Sequence, residues 1–232
     1  MDPLRKSSLI FGLFFAGTFI FSIPALPFYD LILHNSGYIL EGGFDTRVAT
    51  GALLEILLAI CNIATAIVLF PLVRRVRETV ALGYVAVRTV ESVMILAGVI
   101  SLMSVVTLRA TAPPQVSPEV LSLAGQMLVA FHDWTFMLGP QFCSGFGNGL
   151  LLGYLMYRSG LVPRRMALLG LIGGPLAFLG GVLVLFGVLE QMSVGLFALT
   201  AFEIVWELSI TFYAIVKGFR PISVAGELAV QH

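Results

Sequence analysis

Charge is what this 232-residue chain has least of: only 11% of its residues are Asp, Glu, Lys or Arg, against about a quarter in soluble domains. That shortage excludes a solvated globule, since too few charged side chains exist to cover one. Acids and bases balance at 13 each, which excludes the basic stripe that nucleic-acid binding needs. Histidine is scarcer still. His34, His132 and His232 are the only three, too scattered for a metal hydrolase built on intramembrane histidines or a serine protease with a histidine base at membrane depth. Cys61 and Cys143 stand in apolar runs without CxxC or Cys/His spacing, so neither zinc nor a structural disulfide is expected. A GxxxxGK[ST] phosphate loop is also missing. Nothing calls for a metal or a cofactor.

Hydrophobic length is what the chain has instead. Apolar residues make up 58%, with a mean hydropathy of +0.99. They fall in runs of about twenty, the length an α-helix needs to cross roughly 30 Å of hydrocarbon. Lipid offers the backbone no hydrogen-bond partners, so such runs must be helical. The expected fold is all-α: one transmembrane domain, residues 1–232, in a six-helix bundle with spans at about 8–28, 49–72, 81–107, 127–157, 166–189 and 194–217. The breaks are "SIPALPFYD", "PLVRRVRE", "RATAPPQVSP", "YRSGLVPRR", "EQMS" and "KGFRP", each carrying Pro, Gly or charge.

Lysine and arginine orient the bundle, because cytoplasmic loops retain them. Arg5 and Lys6 precede the first span; Arg74, Arg75 and Arg77 follow the second, Arg158, Arg164 and Arg165 the fourth, Lys217 and Arg220 the sixth. The other side holds only Arg47 and Arg109 among several acids. Both termini are expected in the cytoplasm. The basic start, apolar core and small-residue end of "MDPLRKSSLIFGLFFAGTFIFSIPA" also fit a signal peptide. The apolar stretch runs on to Phe28, long for a signal core, which favours a retained helix.

The residues "FHDWTFMLGPQFCSGFGNGLLLGYLMYRSGLVPRRMALLGLIGG" (131–174), "WELSITFYAIVKGF" (206–219), "GALLEILLAICNIATAIVLFPLVRR" (51–75) and "YVAVRTVES" carry a family likeness. The chain resembles the bacterial membrane family catalogued as domain of unknown function 4386, over nearly its whole length. That resemblance implies six helices, hence a multi-pass protein of a bacterial cytoplasmic membrane, and carries over no activity. Catalytic residues are therefore not assigned, and any function must come from the residues themselves.

Helical spacing collects the polar residues of the spans into stripes: Tyr84, Arg88, Glu91 and Ser92; Thr200, Glu203, Glu207 and Thr211; Gly51, Glu55, Ala59 and Asn62. Counting about 1.5 Å per residue puts Arg88, Glu91, Glu207, Asn62 and Asn148 in a central-to-inner layer, and Glu55, Glu203 and Gln141 in an outer one. Charged groups facing lipid cost at least a few kcal/mol each, so the stripes should face inward, with Arg88 within reach of Glu91 or Glu207. Four carboxylates accompany that single arginine. The surplus must be protonated, hydrated or neutralised by a bound cation. Three readings stay open. The polar centre serves a carrier or sensor for a proton or small cationic solute, or it only holds helices together, or it is a carboxylate-based enzyme acting on lipid.

His132 and Asp133 fall at the outer interface, just above Gly139–Pro140, where a kink is expected. They make either a proton-exchanging mouth for the acidic layer or, preferably, an interfacial anchor with Trp134 in the aromatic belt. The lipid bilayer is the one partner the composition names outright.

Overall fold

In a computed structural model of the chain, residues 1–35, 37–41 and 45–222 are described, and among them every regular element is helical. The elements are α1 (Pro3–His34), α2 (Tyr38–Glu41), α3 (Asp45–Thr111), α4 (Pro118–Phe136), α5 (Gly153–Ser159), α6 (Arg164–Leu185) and α7 (Val194–Val216). Two π-helical segments, Met137–Gln141 and Ser144–Leu152, link α4 to α5, so that helix runs unbroken from Pro118 to Ser159. Four helices, α1, α3, α6 and α7, are long and apolar enough to cross a membrane.

The packing inverts that of a soluble domain. Ile20, Ile60, Ile100, Ile172 and Phe212 are each more than half exposed, whereas Asn62, Arg88, Glu91, Asn148 and Glu203 are buried. Apolar surface on this scale outside, with charge inside, suits a protein whose solvent is lipid.

Helix boundaries depart from expectation in α1 and α3. The first helix does not stop at Phe28 but continues through Pro24 and Pro27 to His34. A proline removes one N–H, whereas leaving the helix would unpair a whole turn of backbone groups. No loop separates the second and third spans either: α3 is continuous over 67 residues except at Arg77, the single residue with extended backbone. A straight helix of that length would measure about 100 Å. Instead its two arms fold back on each other, since Asp45 and Arg109, near its opposite ends, form an ion pair, and Ser92 Oγ donates to the Ala59 carbonyl at 3.1 Å. One extended residue suffices because Arg74, Arg75, Arg77 and Glu78 are all exposed and need no buried partners. Lastly, Gly139–Pro140 lies in a π turn; the wider turn draws the preceding carbonyl away from the proline ring.

Glycines set how closely the last three long helices meet. A Cβ on Gly173 would lie 2.6 Å from the Glu203 backbone nitrogen, and one on Gly170 would lie 2.6 Å from Trp206 Nε1. α6 is thereby clamped against α7, and through Gly145, Gly149 and Gly174 against the π segment. At the end of the bundle where Arg5 lies, its Nη1 donates to the Ala214 carbonyl at 2.9 Å. The Ser8 hydroxyl donates to the same carbonyl and accepts from the Phe219 N–H. Phe11, Phe15, Leu69, Leu152, Trp206 and Ile210 form the apolar core beside it.

Candidate functional site

α3 supplies the first half of a buried polar centre. Arg88 and Glu91, three apart on its second arm, face the same way, and Arg88 Nη1 donates to Glu91 Oε2 at 2.7 Å. Asn62 on the first arm closes the cluster: its Oδ1 accepts from Arg88 Nη2 at 2.5 Å while its Nδ2 donates to Glu91 Oε1 at 3.2 Å. The guanidinium also lies over the Phe15 ring, 5.7 Å from its centroid. This cation is neutralised, bonded and covered, which is how an arginine becomes tolerable at membrane depth.

The second half comes from α7 and the π segment. Glu207 does not reach Arg88 as an ion-pair partner. Its Oε1 instead accepts from Ser144 Oγ at 2.7 Å and from Asn148 Nδ2 at 2.6 Å. Trp206 Nε1 donates to the Asn148 carbonyl at 2.9 Å, tying α7 to the same turn. Gln141 donates to the Ala177 carbonyl and to Thr200 Oγ1. Ser144, Asn148 and Gln141 thus form one wall, presented by π-helical turns, a geometry that recurs at functional sites. Ser144 lies outside the polar stripes that helical spacing collects from the sequence. Its signal was position alone, since it lies three residues from Gln141 and four from Asn148.

Between the two halves lies a cavity of about 210 Å³ lined by Asn62, Arg88, Glu91, Asn148, Glu203 and Glu207, among others. Glu203 stands apart within it. It is 1% exposed, yet neither carboxylate oxygen has a hydrogen-bond partner. Asn148 Oδ1 is likewise buried and unpartnered. A buried carboxylate without donors is costly as an isolated group, so the cavity presents unused acceptor capacity beside an already paired arginine.

Glu55 does not join this centre, and the outer layer expected from depth therefore divides. Gln141 and Glu203 line the cavity, whereas Glu55 accepts from the Tyr29 hydroxyl at 3.0 Å. The Tyr29 ring in turn meets the His132 ring edge-on at 5.7 Å. His132 is buried, with its Nδ1 3.4 Å from Asp133 Oδ1, while the Asp133 side chain is 46% exposed. The histidine turns inward beneath the part-exposed Asp133, and Trp134 beside it is exposed. Both cysteines are free thiols. Among the described residues no three His, Cys, Asp or Glu side chains gather as metal ligands; His232 lies outside those residues.

No curated protein and no solved structure matches the chain. A family model does, over residues 10–218, described as "Domain of unknown function (DUF4386)". With its apolar helices and its charged groups turned inward, the chain belongs to the DUF4386 family.

Proposed function

We propose that this protein is a six-span, single-domain protein of a bacterial inner membrane, both termini in the cytoplasm, whose polar centre binds a proton or small cation as a carrier or sensor. The observation that carries the reading is Glu203, a buried carboxylate with two unpartnered oxygens lining a cavity. A centre built only to hold helices together has no use for such a group, because its acceptors gain nothing where no donor meets them. The Arg88–Glu91–Asn62 cluster, by contrast, is bonded as a helix-holding device would be, and supports a structural role for that half. Glu203 separates the two roles.

The test is reconstitution in liposomes. Wild-type protein is expected to move protons or to bind cations in a pH-dependent manner. Glu203→Gln should abolish this while leaving the melting temperature close to wild type, because the carboxylate makes no hydrogen bond to lose. Equal activity in the Glu203→Gln variant would sink the proposal.

Topology is tested separately. The six-span count supports itself on the two arms of α3 and the unbroken helix from Pro118 to Ser159. Reporter fusions after residues 77, 160 and 220 are expected to report cytoplasm, and one near 115 the outside. Two contrary results would overturn the orientation.

A further inference from the structure

Resting on the cation-site reading of the cavity, we infer that its ligand is a small primary ammonium compound, R–NH₃⁺ with a short apolar R. Its ammonium group sits against Glu203 and Asn148 Oδ1, and its tail lies along the cavity's apolar wall.

Hydrogen-bond bookkeeping selects the headgroup. The buried acceptors without partners in the cavity are Glu203 Oε1, Glu203 Oε2 and Asn148 Oδ1. An ammonium group brings three N–H donors and no acceptor, which matches that set in number and sense. Glu203 packs against the turn that carries Asn148, since a Cβ on Gly149 would lie 2.7 Å from Glu203 Oε2, and both side chains line the same cavity. Asn148 presents its oxygen because its Nδ2 is committed to Glu207 at 2.6 Å.

Most protein donors in the cavity lining are already spent. Ser144 donates to Glu207, Gln141 to Ala177 and Thr200, and Thr200 to the Leu196 carbonyl. Among the buried donors of the lining, Arg88 Nε is left over. Its guanidinium is pinned through both other nitrogens, to Glu91 and Asn62, so it cannot swing to Glu203.

Competing ligand classes fit less well. A divalent metal lacks a ligand set, since no three His, Cys, Asp or Glu side chains converge among the described residues. A bare monovalent ion would leave Phe19, Leu58, Ile95, Phe136 and Ile204 facing nothing apolar. A quaternary ammonium has no N–H to offer the three acceptors, and the lining holds phenylalanine but neither Trp nor Tyr for a cation–π cage. Volume limits the tail. About 210 Å³ is below the roughly 300–1,000 Å³ of pockets for drug-sized ligands, and corresponds to about seven waters at roughly 30 Å³ each.

Trp206 is a built-in reporter, because its indole is bonded to the Asn148 carbonyl. The chain has two tryptophans, so Trp134→Phe leaves Trp206 as the single fluorophore. In nanodiscs this protein is titrated with n-butylammonium, tetramethylammonium, sodium and β-alanine, following Trp206 emission and melting temperature. The expected result is saturable binding of n-butylammonium, with tetramethylammonium and sodium at least about tenfold weaker and the response lost in Glu203→Gln. Sodium or tetramethylammonium binding as tightly would overturn the ligand class while leaving the cation-site reading intact. Tighter binding of β-alanine would also overturn it, in favour of a zwitterion whose carboxylate uses Arg88 Nε. Proton-dependent changes at Glu203 with no response to any added compound would overturn it in favour of a proton site. If neither protons nor cations act through Glu203, the inference and the cation-site reading fall together. The selectivity series needs no substitution at Glu203, so it decides the matter even if Glu203→Gln does not fold.

Discussion

Replacing Glu91 by leucine is expected to destabilise the bundle more than replacing Arg88 by methionine, although each removes one side of the same pair. Both side chains are almost fully buried. A guanidinium cannot shed its proton, so Glu91→Leu strands a permanent cation whose remaining hydrogen-bond acceptor is Asn62 Oδ1, with the Phe15 ring beneath it. Breaking one side of a buried pair costs about 3–5 kcal/mol in soluble proteins, and membrane contacts measure weaker, which puts the expected loss at about 3 kcal/mol. Arg88→Met leaves a carboxyl that can take up a proton and keep its bond from Asn62 Nδ2; its cost should be about 1–2 kcal/mol. The double variant should recover much of the larger loss, as apolar replacements of buried pairs do. Unfolding in detergent across this double-mutant cycle checks all three numbers. Equal costs for the two single variants would contradict the asymmetry. Glu207→Ala, which leaves the pair whole, should cost less than Glu91→Leu.

Gly149→Ala is expected to be the most damaging methyl group that can be added to the π segment. Its Cβ would lie 2.7 Å from both the Gly174 backbone nitrogen and Glu203 Oε2, and closer still to the Gly174 Cα. Backbone cannot rotate aside, so α6 must move bodily. Alanine is the better helix former by about 1 kcal/mol, whereas overpacking costs typically 1–3 kcal/mol and occasionally more. With backbone as the obstacle, overpacking should win, for a net loss of roughly 2 kcal/mol together with a displaced Glu203. Gly83→Ala is the matched control, because its nearest neighbour would be Leu151 Cδ1 at an ordinary 3.5 Å. There the propensity gain of about 0.5–1 kcal/mol should prevail. Protease resistance and melting temperature of the two variants should diverge; if both stabilise, α6 is not held as closely as its glycines require.

Helical character and an apolar exterior were legible from sequence because both follow from local properties, the length of the runs and the backbone's need for partners. The last two long helices, α6 and α7, begin and end within a few residues of the expected spans. Arg88 and Glu91 were legible as a pair because three residues is one helical turn, a distance the backbone alone dictates. Asn62 and Glu203 were legible as inward-facing for the same reason.

What lay beyond the sequence was the rotation and register of one helix against another. Depth placed Glu207 near Arg88, but the close approach of α6 through Gly170, Gly173 and Gly174 turns α7 so that Glu207 meets Ser144 and Asn148. Tyr29 lay past two prolines that read as a helix end; once α1 runs through them, its hydroxyl takes Glu55 away from the centre. Periodicity within a helix is set by its own backbone, and the sequence alone determined that much: all-helical, lipid-facing outside, charged within. Which inward residues touch is set by contacts between residues far apart in the chain. Only the tertiary structure decided that Arg88 is ion-paired to Glu91 and held by Asn62 while Glu203 faces a cavity with both oxygens unpartnered.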